Sequence, residues 1–404
     1  MTSASQNGHL RWPTVQLSDV ADHCLGKMLD AKKNKGRPLP YLRNPDVRWL
    51  EINTTQLRTM PFEPHEDDRY SLQKGDVVIC EGGEAGRAAI WDGRLPNVKF
   101  QKAIHRVRPG PKLDAKYLVY CIMTDYQNGQ LADYYTGATI KHLTGQDIAR
   151  YRFQLPPLQE QRRIAEILDK ADALRAKRRA ALAQLEALTQ SIFLDMFGDP
   201  VTNPKGWPAS VTLGEVAEIV SGVTKGRNLQ GKVSRMVPYL AVSNVQDRAL
   251  DLSITKRIEA TEEEIQRYQL QADDLLLTEG GDPDKLGRGT LWNNELPECI
   301  HQNHIFRVRL TTEAVTPLFL NWLVGGQRGK RYFLRSAKQT TGIASINMTQ
   351  LKGFPLLLPP LALQHEFARH VAIAQKLKAA HRASLAELDA LFASLQHRAF
   401  RGEL

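Results

Sequence analysis

The sequence has 404 residues, more than one domain usually spans, and implies two globular units plus connectors. Hydrophobic residues make up 42% and charged residues 24%, an ordinary globular balance that excludes wholesale disorder. Lys plus Arg total 54 against 44 Asp plus Glu, and the resulting +10 is the sign expected of a protein that neutralises phosphates.

The N-terminal MTSASQNGHLRW lacks a basic start followed by an apolar run, so no secretory signal is expected there. No stretch approaches the ~18 consecutive apolar residues of a membrane span. Cys24, Cys80, Cys121 and Cys299 are far apart and form no CxxC pair, so neither a disulfide framework nor a zinc ribbon is indicated. A cytoplasmic location with no membrane partner is the expectation.

The first predicted strand, around Thr14 to Ala21, is followed by a basic segment from Lys27 to Arg43 that contains Lys32, Lys33, Lys35 and Arg37. Asp76 to Cys80 is a strand-length apolar run, and Glu81-Gly82-Gly83 reads as a turn rather than a catalytic carboxylate. Lys99, Gln101 and Lys102 come next, then a short predicted helix over Tyr117 to Met123. From Gln159 to Phe197 neither Pro nor Gly interrupts, and Ile164, Ile167, Leu168, Ala171, Leu174, Leu185 and Leu188 recur at helical spacing. Gly198-Asp199-Pro200 ends this helix.

The second half repeats the order. SVTLGEVA at Ser210 answers to TVQLSDVA at Thr14, and a Gly-rich basic loop with Lys225, Arg227, Asn228, Lys232 and Arg235 follows it. Asp274 to Thr278 answers to Asp76 to Cys80, Trp292 to Trp91, and Gln302 with Arg307-Val308-Arg309 to Gln101 with Arg106-Val107-Arg108. Pro317 to Val324 is a predicted short helix, and TGIA at Thr341 answers to TGAT at Thr136. LPPLALQHEFARHV at Leu358 matches LPPLQEQRRIAEIL at Leu155 and opens a second long helix, striped by Phe367, Val371, Ala374, Leu377, Leu388 and Leu391.

A helix of ~39 residues is ~58 Å long at ~1.5 Å rise, longer than such a domain is wide, so the two stripes are expected to pack on each other. The predicted fold class is therefore α+β: two β-rich mixed globular domains separated by two long antiparallel helices forming a coiled-coil spacer, with a pseudo-twofold internal repeat. The expected boundaries are residues 1–157 and 199–360 for the two domains with the linker, and 158–198 and 361–404 for the helices.

The run TGATIKHLTGQDIARYRFQLPPLQEQRRIAEILDKAD and its counterpart TTGIASINMTQLKGFPLLLPPLALQHEFA resemble the specificity subunits of type I restriction-modification enzymes. The resemblance covers nearly the whole chain, and its strongest element is the LPPL-x-x-Q helix entry occurring twice. The second copy carries Leu363-Gln364 where the first has Glu160-Gln161, so a helix-entry role suffices for that pair. The family implies that each globular domain reads one half of a split double-stranded DNA target and that the helices set the spacing. It also implies partners: two modification (methyltransferase) subunits and restriction (translocase/nuclease) subunits, on which S-adenosylmethionine, ATP and Mg are expected, with none of these cofactors on this chain.

Phosphate contact needs only charge, whereas base readout needs the paired donors and acceptors of Asn, Gln and Arg. The DNA-contact candidates are Lys27, Lys32, Lys33, Lys35, Arg37, Lys99, Lys102, Lys225, Arg227, Lys232 and Arg235, with Gln101, Asn228, Gln302 and Asn303 as possible base readers. Since repeated residues fit a structural role better, Asn228 and Asn303 rank above Gln101 and Gln302. Arg162, Arg163, Arg175, Lys177 and Arg179, on the helix face away from the seam, are the expected partner-docking residues. Gly226-x4-Gly231-Lys232 resembles a phosphate-binding loop but has Val233 where a magnesium-holding Ser or Thr is needed. Cys299, His301 and His304 lack a fourth metal ligand. A methyltransferase reading finds no Gly-rich cofactor loop and no Asn/Asp-Pro-Pro-aromatic run, and a nuclease reading finds no carboxylate-x-Lys cluster. No catalytic or metal residue is assigned, and a purely structural adaptor is the remaining alternative.

Overall fold

The computed structural model describes residues 12–30, 32–137, 139, 141–281, 286–340 and 343–404. Residues 1–11, Ala138, Thr341 and Gly342, which carry parts of the N-terminal, TGAT and TGIA readings, lie outside the described residues. The chain divides into two compact units, residues 1–180 with 382–404, and residues 181–381.

In the first unit a four-stranded antiparallel sheet runs in the order Ala21–Leu25, Ile104–Pro109, Val77–Cys80, Ala88–Ile90. Val77–Cys80 is buried on both faces because successive side chains alternate: Val77 and Ile79 enter one core, Val78 and Cys80 another. A second sheet pairs Arg37–Leu42 antiparallel with Arg58–Phe62 and parallel with Lys99–Phe100. The helix Ala115–Gln127 covers the first sheet, capped by Asp114, which accepts from Lys116 and Tyr117 backbone N–H groups.

The second unit has the same plan. Its four-stranded sheet runs Ala217–Ser221, Ile305–Leu310, Leu275–Thr278, Gly289–Leu291, and Arg235–Leu240 pairs with Lys256–Ala260 and Ile300–His301. Pro317–Gly325 replaces Ala115–Gln127, with Thr316 as its cap. Several short helices were not anticipated, the longest being Glu262–Tyr268 and Gln327–Ser336. Gly329 hides the latter in the sequence, yet a Cβ there would lie 1.8 Å from the Val324 carbonyl oxygen, so close packing requires the glycine.

The repeated arginines are structural. Arg106 pairs with Asp22 at 2.5 Å and Arg108 with Asp76 at 2.7 Å; Arg307 pairs with Glu218 at 2.8 Å and Arg309 with Asp274 at 2.7 Å. The repeated tryptophans, Trp91 and Trp292, are buried in equivalent satellite cores.

The long helices span Leu158–Phe197 and Leu361–Ala399. Each LPPL-x-x-Q glutamine is fully buried and ties its helix to its own domain. Gln161 accepts from the Asp114 N–H at 2.8 Å and donates to the Lys112 and Pro156 carbonyls. Gln364 accepts from the Thr316 N–H at 2.8 Å and donates to the Ala314 and Pro359 carbonyls. One side chain thus satisfies three backbone groups at a junction that excludes water.

The helix stripes behave differently from the expected mutual seam. In the first unit Ile164, Leu168 and Ala171 enter the domain core together with Phe392 and Ala399 of the second long helix. In the second unit Phe367 and Val371 enter the core with Phe193 and Phe197 of the first. Within each unit the two helix segments run antiparallel: Arg163 bonds the Leu404 carbonyl while Arg175 pairs with Asp389 at 2.6 Å, and Glu186 pairs with Lys378 at 2.5 Å while Phe193 packs on Phe367. Leu174, Leu188, Leu377 and Leu391, read as seam residues, are instead exposed. The apolar ends of the helices are held by domain cores, and between these ends the remaining stripe residues, such as Leu182, Leu185, Leu385 and Leu388, are half-buried.

Candidate nucleic-acid interface

In each unit a glycine brings the basic loop against the turn that carries the glutamine. A Cβ on Gly26 would sit 2.3 Å from the Gln101 carbonyl oxygen, and one on Gly222 would sit 1.9 Å from that of His301. Lys27 therefore bridges to Gln101, and the Lys102 N–H donates to the Lys27 carbonyl at 2.8 Å. Val223 bridges to Gln302, the Asn303 N–H donates to the Val223 carbonyl at 3.0 Å, and the Ser221 hydroxyl donates to the Asn303 carbonyl at 2.5 Å. Residues some 75 positions apart in sequence thus form one surface in each unit.

Lys32, Lys33, Lys35 and Lys102 are exposed in the first unit, as are Lys225, Asn228 and Lys232 in the second. Lys33 lies 4.0 Å from Asp30, and Arg37 lies 3.4 Å from Asp67, both loose surface pairs. Gln101, Gln302 and Asn303 are half-buried at the turns themselves.

Four of the expected contacts are committed elsewhere. Lys27 is buried, paired with Glu66 at 2.5 Å and set over the Phe62 ring. Lys99 is buried, paired with Asp67 at 2.5 Å and hydrogen-bonded to Ser71. The hydrogen bond that Lys99 donates to Asp67 holds the Asp67 carboxyl below the usual carboxylate range. Arg227 grips Glu264 at 2.5 Å and the Thr224 and Glu259 carbonyls. Arg235 stands between Glu298, at 2.6 Å, and Glu262, and hydrogen bonds to these two carboxylates raise its guanidinium pKa. A cation already paired within its own domain has less charge free for a phosphate than the exposed lysines of the same segments, and Arg235, although exposed, is shared between two carboxylates.

The repeat itself contained the signal for the two lysines. Strand register sets Lys27 on Val223 and Lys99 on Ile300, positions that are apolar in the other copy. The same register places Arg58 and Lys256 on one another, both exposed, a pair of cations that lies outside the basic runs of the sequence.

Of the expected docking cations, Arg162, Arg163 and Lys177 are exposed. Arg175 is half-buried over the Phe392 ring and paired with Asp172 and Asp389, which puts it at the helix-to-helix contact, not away from it. Arg179 also leans on Asp389, at 3.3 Å.

The Gly226–Lys232 loop and the Cys299, His301 and His304 cluster are each placed without a shared ligand centre. Gly226 and Gly231 have positive φ in turns that lead into a strand, not into a helix N-terminus. Cys299 donates to the Ile300 carbonyl, His301 bonds the Ile305 carbonyl, and His304 bonds Glu279, so the three share no centre. Among the described residues no group of three or more His, Cys, Asp or Glu side chains is placed to hold a metal ion. Among them, too, no helix is long and apolar enough to cross a membrane.

Two domains of one plan, stapled to two long helices and differing in their exposed basic loops, match a known family. Residues 10–187 and 204–388 match the family described as Type I restriction modification DNA specificity domain. The chain belongs to this family. It is 23% identical over 384 residues to the StySPI specificity subunit of Salmonella potsdam, covering 91% of this chain and 82% of that one. It is likewise 23% identical over 383 residues to the EcoKI specificity subunit of Escherichia coli K12, with the same coverage. The fold is similar to the crystal structure of the type I S subunit from M. genitalium, with a TM-score of 0.54, 16% identity and 98% of each chain covered. A chain from a structure of type I R-M complex assembly and conformational transition gives a TM-score of 0.60 at 19% identity, covering 98% of this chain and 99% of that one. The protein is thus a two-domain specificity subunit of a type I restriction-modification system.

Proposed function

We propose that this specificity subunit reads a bipartite, asymmetric double-stranded DNA target, one half-site per recognition domain (residues 1–157 and 199–360), and performs no catalysis itself. One observation carries the reading: the two units share their buried ion pairs, glutamine staples and sheet order, while the exposed loops at the equivalent place differ in sequence. A shared frame with divergent basic loops is what two related readers of different half-sites need. Lys32, Lys33, Lys35, Lys102, Lys225 and Lys232 hold phosphates, and Gln101, Asn228, Gln302 and Asn303 face base edges.

The long helices set the spacing and, through Arg162, Arg163, Lys177 and the exposed leucines beside them, dock two modification subunits and the restriction subunits. S-adenosylmethionine, ATP and Mg act on those partners. Two half-sites on one face of B-DNA lie about one turn, roughly 10–10.5 base pairs, apart, so reading of about 3 to 4 base pairs each leaves an unread gap of roughly 6 to 7.

Methylation mapping of DNA from cells expressing the complete system tests this, with an asymmetric split site expected. Inserting about four residues, one helical turn, between residues 172 and 190 lengthens the gap and leaves both half-sites unchanged. A palindromic site, or altered half-site bases with a fixed gap, overturns the spacer role. Methyl transfer by the isolated chain overturns the non-catalytic reading.

A further inference from the structure

We propose that the basic loops carry apolar tips, Met28 with Leu29 in one unit and Val233 with Met236 in the other, that contact thymine 5-methyl groups in the major groove. This rests on the DNA-reading function above. The four side chains are 57%, 59%, 92% and 50% exposed. Single exposed hydrophobics are common, but here each unit exposes two along its basic segment: Met28 and Leu29 at its start in the first, Val233 and, on the strand that follows, Met236 at its end in the second.

The tips are presented by built turns. In the first unit the Asn34 side-chain amide donates to the Met28 carbonyl at 3.0 Å. Asp30 Oδ1 accepts from the Lys32 and Lys33 N–H groups at 3.0 and 3.1 Å. In the second, Asn228 Oδ1 accepts from the Gln230 N–H at 2.9 Å, and the Lys232 N–H donates to the Leu229 carbonyl at 3.0 Å. Arg235, clamped by Glu262 and Glu298, then fixes the chain where Val233 and Met236 project. Side chains that could collapse onto the domain are held in water instead.

Charge names the occupant. Exposed Lys32, Lys33 and Lys35 share a segment with Met28 and Leu29, and exposed Lys225 and Lys232 precede Val233, so the partner is a polyanion with an apolar feature. An anionic membrane surface has both, but it has no use for the donor and acceptor groups of Gln101, Gln302 and Asn303 on the adjoining turns. Duplex DNA does: its major groove displays phosphates, base-edge donors and acceptors, and the thymine methyl as its apolar mark. Each half-site should therefore contain at least one A·T pair read through that methyl.

The test uses the full chain and a duplex carrying the mapped methylation site, with each thymine replaced in turn by deoxyuridine. Removing one contacted methyl weakens wild-type binding about fourfold, the equivalent of burying one less methyl group. Met28→Ser with Leu29→Ser binds the thymine duplex more weakly and loses sensitivity to uracil in one half-site only. Val233→Ser with Met236→Ser does so in the other. Because all four residues are exposed, melting temperatures stay at the wild-type value; the corresponding alanine pairs give the same pattern should a serine pair misfold. Uracil insensitivity of the wild type, or variants that weaken binding equally on both duplexes, overturns the proposal. So does loss of binding to phosphatidylserine vesicles in the same variants without a DNA effect. Failure of the wild type to prefer the mapped duplex over a scrambled one refutes the DNA-reading function itself, a separate result.

Discussion

One position shows how the two units solve the same packing problem with opposite chemistry. In the first, Lys99 is buried against Asp67 at 2.5 Å; in the second the matching strand position is Ile300, packed in a cluster with Ile265, Val223 and Tyr239. Helix Glu262–Tyr268 aligns with the segment ending at Tyr70, since Arg267 and Arg69 each lie 5.5 Å from the next tyrosine ring, and this puts Asp67 on Ile265. An ion pair and an isoleucine pair therefore occupy one site in one fold. Buried pairs contribute little net stability over a packed apolar substitute, but half a pair is costly. The lesson is that a lysine in a basic protein is not automatically a phosphate contact.

The largest effect comes from splitting that pair. Asp67→Ile alone strands a buried ammonium and costs about 3–5 kcal/mol, whereas Asp67→Ile with Lys99→Ile, copying the second unit, recovers most of it. Denaturant unfolding measures both, and equal stability of single and double variants breaks the comparison.

The glutamine staples are where the units agree. Gln161→Ala and Gln364→Ala each orphan buried backbone groups and cost about 3 kcal/mol, at roughly 1–3 kcal/mol per group. Glu at either position keeps the acceptor but loses both donations and does not rescue. A melt that shifted for one variant and not the other would show that the staple is not shared.

Each unit also buries one histidine where its counterpart has phenylalanine. His105 aligns with Phe306 and His301 with Phe100. Burial drives both histidines down to about 4 from the usual 6.5. Their folded pKa lies below the unfolded value, so the unfolded chain binds more protons between pH 6.5 and 4. Stability is full above about pH 6.5 and is lost as pH falls through this window, by roughly 3 kcal/mol per histidine. His105→Phe and His301→Phe flatten the acid limb of the stability profile, each in its own unit; an unchanged limb removes the histidines as its cause.

The smallest effects are at the surface. Lys32→Ala, Lys33→Ala and Lys35→Ala each reduce the salt slope of DNA binding by about one. Lys27→Ala lowers stability and leaves the slope at the wild-type value, because its ammonium is bound by Glu66 inside the fold. A slope change at Lys27 would return it to the interface.

The sequence alone determined the plan: the repeat, the two long helices, the strand-length runs at Asp76 and Asp274, and the repeated loops at Lys27 and Lys225. Those features are written in spacing and composition, which local geometry obeys wherever the chain folds. Tertiary structure decided which charges are available. Lys27 and Lys32 lie five residues apart with the same charge, yet one closes an internal ion pair and the other faces water, because Gly26 draws only the first against the Gln101 turn. It also decided that Leu174 and Leu188 stay exposed while Ile164 and Leu168 are buried. A helical stripe fixes a direction, but the atoms that cover it belong to the domain core and to a second helix more than 200 residues away.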